Sequence, residues 1–173
     1  MGFVITLLKA IAVIVVLIIA AAVLTVTAAG FADGPWAVIA GGKFTSGEPA
    51  DAEPDWQFVK DYDTVEFQLI EPESSRTTWI MVVGDRVFIP SGYMNTDFGK
   101  LWKHWPLHAE KDGRAVLRVD NTLYNRQLVR VGADDPDVPG VLSEVSRKYF
   151  QGEPVPLDEV VSNNLWIFEL LPR

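Results

Sequence analysis

The chain has no cysteine. That excludes a disulfide framework, a cysteine nucleophile and a thiolate metal centre. It has only two histidines, His104 and His108, and no His/Asp/Glu spacing that suits a metal. Cations are outnumbered: 15 Lys and Arg against 23 Asp and Glu give a net charge of −8. Such a balance argues against nucleic acid as a partner. No Walker loop, dinucleotide fingerprint or nucleophile elbow occurs. Charge is missing altogether from Ala10 to Ala29.

That last absence is the most informative. Twenty residues make about 30 Å of helix at ~1.5 Å per residue, enough to cross a bilayer. Eleven of them are Val, Ile or Leu, each favouring insertion by about 0.3–0.6 kcal/mol near the centre. A cleaved signal peptide would have a charged start and a shorter apolar core, and Val26-Thr27-Ala28 offers small residues for cleavage. The length of the core and the single Lys9 before it favour a retained signal anchor. Lys9 before the span and Asp33 after it place the N-terminus in the cytoplasm. The expectation is a single-pass protein of the cell (inner) membrane with its soluble domain extracytoplasmic. Membrane lipid is then a partner through the N-terminal helix.

The expected organisation is an anchor over 1–30, a linker or strap over 31–62 and a β-barrel domain over 63–173. In the strap, Gly34-Pro35, Gly41-Gly42, Gly47 and Pro49 break regular structure. Trp36 and Phe44 suit a strap packed on the domain. Alternatively, Phe31 and Trp36 sit at the membrane interface. Asp55 after Pro54 reads as the N-cap of a helical turn. Thr64–Ile70 alternates with Val65, Phe67 and Leu69 inward. Arg76–Val83 and Arg86–Ile89 form a hairpin about Gly84-Asp85. Further strands are expected over Arg114–Asp120, Leu123–Val131 and Asn164–Leu171, with a helix over Val141–Phe150.

Between the two hairpins lies a stretch with two of the six tryptophans, one histidine and two lysines. Phe98, Leu101, Trp102 and Trp105 fall on one helical face, with Lys100, Lys103 and His104 opposite, and Pro106 ends the segment. Residues 100–130 carry net +4, inside a remainder beyond residue 30 of net −13. A local cation cluster in an acidic domain suits a specific anion site.

The strand pair Thr78–Ser91, the run Lys100-Leu101-Trp102-Lys103-His104-Trp105-Pro106, and the hairpin Gly113–Val119 with Leu123-Tyr124 resemble the FMN-binding split β-barrel superfamily. That group includes pyridoxamine-phosphate-oxidase-like and deazaflavin-dependent nitroreductase-like proteins. The resemblance implies a mainly β (α+β) fold: a six-stranded antiparallel split β-barrel with two short helices, near 97–105 and 139–150. It implies FMN or a related flavin as cofactor. Carried over by position, the phosphate-holding candidates are Arg76, Thr78, Ser91, Lys100 and Lys103, with Trp102 available to stack on the ring system.

Physically, phosphate needs several N–H or O–H donors and a cation in a pre-organised pocket. The plainer alternative is that the lysines solvate a helix face and that Trp102 and Trp105 pack a core or a dimer contact. His104 has no recognisable carboxylate partner and is assigned no catalytic role, and the reading assigns no reaction. Two registers remain open for the 114–131 hairpin. A two-residue turn at Asn121-Thr122 sets Arg118 opposite Asn125, whereas a three-residue turn sets Arg118 opposite Arg126 and Arg114 opposite Arg130. Two functional readings follow. One is a membrane-anchored split barrel binding a flavin-like or other phosphate-bearing ligand. The other is a non-catalytic single-pass accessory subunit of a membrane complex, pairing as a homodimer or with another protein.

Overall fold

The computed structural model describes residues 2–173, and the side chain of Phe98 lies outside the described residues. The uncharged run is helical as part of α1 (Gly2–Ala29), which is long and apolar enough to cross a membrane and almost wholly exposed. Its length and composition are those of a membrane anchor or a signal sequence.

The rest is a mixed α+β fold around a curled antiparallel sheet. The strands are β1 (Glu48–Pro49), β2 (Thr64–Leu69), β3 (Ser74–Trp79), β4 (Met81–Val83), β5 (Arg86–Ser91), β6 (Arg114–Val119), β7 (Thr122–Val131) and β8 (Trp166–Pro172). Their order is β3-β2-β6-β7-β8-β5-β4, with the short β1 added parallel to β7. The barrel is therefore not the six-stranded one expected. Ile80 divides the expected Arg76–Val83 strand, so that Ser74–Trp79 pairs with β2 and Met81–Val83 pairs with β5. The two edges of the sheet are thus consecutive in the chain, and the sheet must curl for one residue to join them. Alternation survives the corner: Ile80 and Val82 join the inner core, and Met81 joins the outer one.

The inner core holds Val65, Phe67 and Leu69 of β2, as the alternation predicted, with Leu117, Phe168 and Trp105. A second core lies on the outer side, where Phe88 and Ile167 meet α4 (Val138–Tyr149). Val138, Val141, Leu142 and Val145, spaced i, i+3, i+4, i+7, form the buried stripe of that helix. Lys148 of α4 is half-buried. Its Nζ donates to the carbonyls of Tyr62 (2.6 Å) and Ile80 (2.8 Å), which ties α4 to the sheet corner.

More helices form than the two expected. The segment near 97–105 divides into α2 (Asp97–Trp102) and α3 (Trp105–Lys111), and a short α5 (Asp158–Val161) precedes β8. Pro106 opens α3 instead of ending α2, because a first-turn residue donates no intrahelical bond. The predicted single apolar face is lost at this break. Trp105 is buried against Phe67 and Phe168, while Leu101 is 77% exposed.

Neither expected register of the β6–β7 hairpin is adopted. Val119 pairs with Thr122 and Arg118 with Leu123. The turn is Asp120-Asn121, both at positive φ (47° and 64°), as the mirror-image turns favoured in tight hairpins require. The arginines thereby separate to different carboxylates. Arg114 pairs with Asp112, Arg118 with Asp33 and Glu66, Arg126 with Glu53, and Arg130 with Glu110. Arg126 is 1% exposed, held bidentately by Glu53 and lying over the Trp56 and Tyr124 rings. Burial works against the Glu53 charge, but the bonds from Arg126 and Trp56 hold its carboxyl below the ordinary range.

The segment after α1 packs on the sheet as a strap. Gly41 bridges Ser75, the Ser75 hydroxyl donates to the Gly42 carbonyl (2.6 Å), and the Phe44 amide donates to Gln68 Oε1 (2.7 Å). Arg118 lies 4.0 Å over the Phe44 ring while pairing with Asp33. Asp55 caps the 3₁₀ turn Trp56–Val59 by accepting from the Gln57 amide.

Candidate functional site

β3 is the edge strand of the sheet, met on its outer side by Gly41 at Ser75, and it lies near β5. A cleft of about 860 Å³ lies there. Four further segments wall it: the α2–α3 junction, the Gly92-Tyr93 connector, the α4–α5 link and the strap tip Ala37–Ile39.

Local sequence explains the connector. Tyr93 takes φ 64°, and Thr96 closes the turn, donating to the Tyr93 carbonyl (2.9 Å) and accepting from the Gly99 amide as N-cap of α2. Gly99 packs so tightly that a Cβ there would lie 1.7 Å from the Tyr93 carbonyl oxygen. Lys103 completes the clamp by donating to the Gly92 carbonyl (2.9 Å), with its ammonium 5.5 Å from the Tyr93 ring centre. Burial pulls the Lys103 pKa below its ordinary value of 10.5. One of its three N–H groups is used by Gly92, and two remain to be directed into the cleft.

Arg76 projects from β3 opposite Phe67, on the inner face of the sheet. Arg76 is half-buried, which lowers its pKa, and its Nε is buried without a hydrogen-bond partner. Among the described residues it makes no ion pair. This sets it apart from Arg86, which meets Glu169, Asp135 and Asp137, and from the four paired arginines of the central hairpin.

Of the six residues expected at a ligand site, five line this cleft: Arg76, Thr78, Ser91, Trp102 and Lys103. Lys100 does not; it stands exposed on α2. Ser91 is 2% exposed and its hydroxyl contacts Met94 Sδ at 3.5 Å, so its side chain is engaged inside the fold. Trp102 is 46% exposed at the rim, whereas Trp105 belongs mainly to the core. His104 is exposed, and it does not line the cleft. Among the described residues no cluster of three or more metal-ligating side chains occurs.

Sequence reasoning missed the aromatic wall opposite. Trp79 stacks on Tyr149 with centroids 3.9 Å apart and planes within 6°, and Phe150 meets Trp79 edge-on. It missed the carboxylates Glu153 and Glu159 on the α4–α5 link, the latter held by Asn164 Nδ2 (2.5 Å). It also missed the strap tip. No periodicity marks these residues as partners, because four chain segments distant in sequence bring them together.

The residues fit a flavin phosphate in kind. An unpartnered buried guanidinium nitrogen, a partly desolvated ammonium and the Thr78 hydroxyl are donors of the type an anion needs. The lining is otherwise mostly apolar and aromatic, as a planar ring system requires.

The architecture is a curled antiparallel sheet whose two edges are consecutive in the chain. No family model and no curated protein matches the chain. Among solved structures it is similar to a putative pyridoxamine 5'-phosphate oxidase from Listeria innocua, at 12% identity and TM-score 0.46, covering 68% of this chain and 90% of that one. It is also similar to the conserved hypothetical protein Rv2991 from Mycobacterium tuberculosis, at 14% identity and TM-score 0.47, covering 73% of this chain and 85% of that one.

Proposed function

We propose that this chain is a membrane-anchored split-barrel protein whose cleft binds a phosphate-bearing ligand with a planar aromatic body, of which FMN is the model. The observation that supports it is Arg76: a cation with no counter-ion among the described residues, facing an aromatic cleft of about 860 Å³ with a buried orphan N–H. Arg126 also carries a buried Nε without a hydrogen-bond partner, but its charge is met by Glu53, so the missing counter-ion is what distinguishes Arg76. In this reading Arg76 and Lys103 hold the phosphate, Thr78 adds a hydroxyl, and Trp79, Tyr93 and Trp102 line the ring site. A bound flavin would supply reversible two-electron chemistry, and no reaction is assigned to the protein's own side chains. α1 acts as a single-pass anchor with the domain extracytoplasmic.

The test is an FMN titration of the full chain in detergent, followed by flavin fluorescence. Saturable binding that weakens in Lys103→Met, and is unchanged in Lys100→Ala, is expected. No binding at millimolar flavin overturns the reading. A non-catalytic accessory role in a membrane complex, or as a homodimer, is the second reading, and the exposed Leu101 beside Trp102 favours it. Its mark is a larger particle when the full chain is purified in mild detergent.

A further inference from the structure

The first part of the strap, next to the helix, has a geometry that the ligand reading does not use. Residues 30–41 leave the end of α1 and return to it: the Gly42 amide donates to the Ala29 carbonyl at 3.2 Å. Both ends of the loop are therefore fixed at the helix terminus, and Ala29 itself is 0% exposed. The tip is pinned by reciprocal backbone bonds between Trp36 and Ile39 (3.1 and 2.9 Å). At ~3.4 Å per residue, no part of the loop lies more than about 20 Å from the end of the helix.

The loop turns apolar groups outward. Phe31 is 87% exposed, Val38 82% and Trp36 49%. Its one ionisable side chain, Asp33, is turned onto Arg118, the Thr45 amide and Ser46. From Ala10 to Gly42 no other charge occurs, and an exposed lysine, Lys43, follows directly. With Lys9 at one boundary, the uncharged span of about 30 Å matches the hydrocarbon thickness and ends at Ala29. Phe31 then falls in the headgroup layer, and so does Gly42, tied to Ala29. Tryptophan favours that layer because its ring is apolar and its N–H polar.

We infer that the Phe31–Ile39 loop is a second membrane contact, its tip embedded in the bilayer interface beside the anchor. The partner is a lipid surface, engaged by apolar insertion and not by charge, since the domain beyond residue 30 carries net −9. Ala37, Val38 and Ile39 also form one rim of the cleft, so that rim lies at the lipid surface. The inference rests on α1 being a span and not on what the cleft binds.

The absence of cysteine makes the test clean. Single cysteines are placed at exposed positions, Val38→Cys, Phe31→Cys, Ile14→Cys and Val161→Cys, and nitroxide-labelled. The full chain is reconstituted in phosphatidylcholine nanodiscs, and each label's accessibility to oxygen and to a water-soluble nickel chelate is measured. Labels at 31 and 38 are expected to favour oxygen over the chelate, as at 14, while the label at 161 favours the chelate. A label at 38 as open to the chelate as that at 161, with 14 in lipid, overturns the loop contact. Labels at 14 and 38 both in water overturn the anchor on which it rests. FMN titration of the same samples reads the cleft separately, so the two proposals fail independently.

Discussion

Replacing Arg76 by methionine should stabilise the fold while weakening ligand binding. Methionine keeps much of the length and apolar volume of the arginine stem and removes the orphan Nε together with its uncompensated charge. Relief of an unsatisfied buried donor is worth about 1–3 kcal/mol. For a domain of this size each kcal/mol moves the midpoint by roughly 3–5 °C, so Arg76→Met should melt about 3–15 °C higher. The opposite sign is expected at Arg126, which is equally inward-facing but held bidentately by Glu53. Arg126→Met strands a carboxylate that is 45% exposed and so partly re-solvates; a loss of about 1–3 kcal/mol follows. In binding, loss of a charge-assisted phosphate contact at position 76 should weaken FMN by about 10- to 100-fold. The assay is near-UV circular dichroism melting of the full chain in detergent, beside flavin titration of the same preparations. Arg76→Met that melts lower than the parent and keeps its flavin affinity would refute the reasoning, because Arg76 would then be a structural cation like Arg126.

Three further outcomes are expected. Gly99→Ala forces α2 off the Tyr93 carbonyl, costing about 1–3 kcal/mol, and should loosen the connector enough to weaken flavin binding; denaturant melts and titration check it. The Asp33 carboxyl is held well below its ordinary 3.8 by the Ser46 hydroxyl, the Thr45 amide and Arg118. Its folded pKa is depressed, so its stabilisation of the strap is fully present above about pH 4 and is lost as pH falls below that value. Hydrogen exchange over residues 30–46 should rise in that window in the parent and already be high at neutral pH in Asp33→Asn. Burial depresses the Lys103 pKa below 10.5, so FMN affinity should decline at a lower alkaline pH than an ordinary lysine would give. Lys103→Arg should remove that decline.

Much of the fold was readable because local periodicity carried it. The alternation of Val65, Phe67 and Leu69, the i, i+3, i+4, i+7 stripe of α4 and the Gly84-Asp85 turn each require only neighbours in sequence. The corner at Ile80 was not readable, since inward and outward residues continue to alternate through it while the pairing partner changes. The Asp120-Asn121 turn was misplaced by one residue because Asp, Asn and Thr all suit a turn, and only the paired strands select among them. At the site, Arg76, Thr78 and Lys103 were reachable by position, but Lys100 was not separable from Lys103 while the helix was taken as unbroken. The positive segment misled in part. Four of its seven cations are paired, and two of these, Arg118 and Arg126, meet carboxylates from outside the segment that charge counting along the sequence cannot see. The cleft-lining Arg76, which makes no ion pair among the described residues, lies outside that segment.

The ratio of riboflavin to FMN dissociation constants tests the central claim most directly, because the two ligands differ only in the phosphate. The parent chain in detergent should bind FMN at least about 10-fold more tightly than riboflavin, the equivalent of about 1.4 kcal/mol for the phosphate contacts. In the Arg76→Met, Lys103→Met double variant the ratio should fall to about one while riboflavin affinity holds. Equal affinity for both ligands in the parent, or a ratio that survives the double substitution, would contradict the assignment of these two cations to a phosphate site.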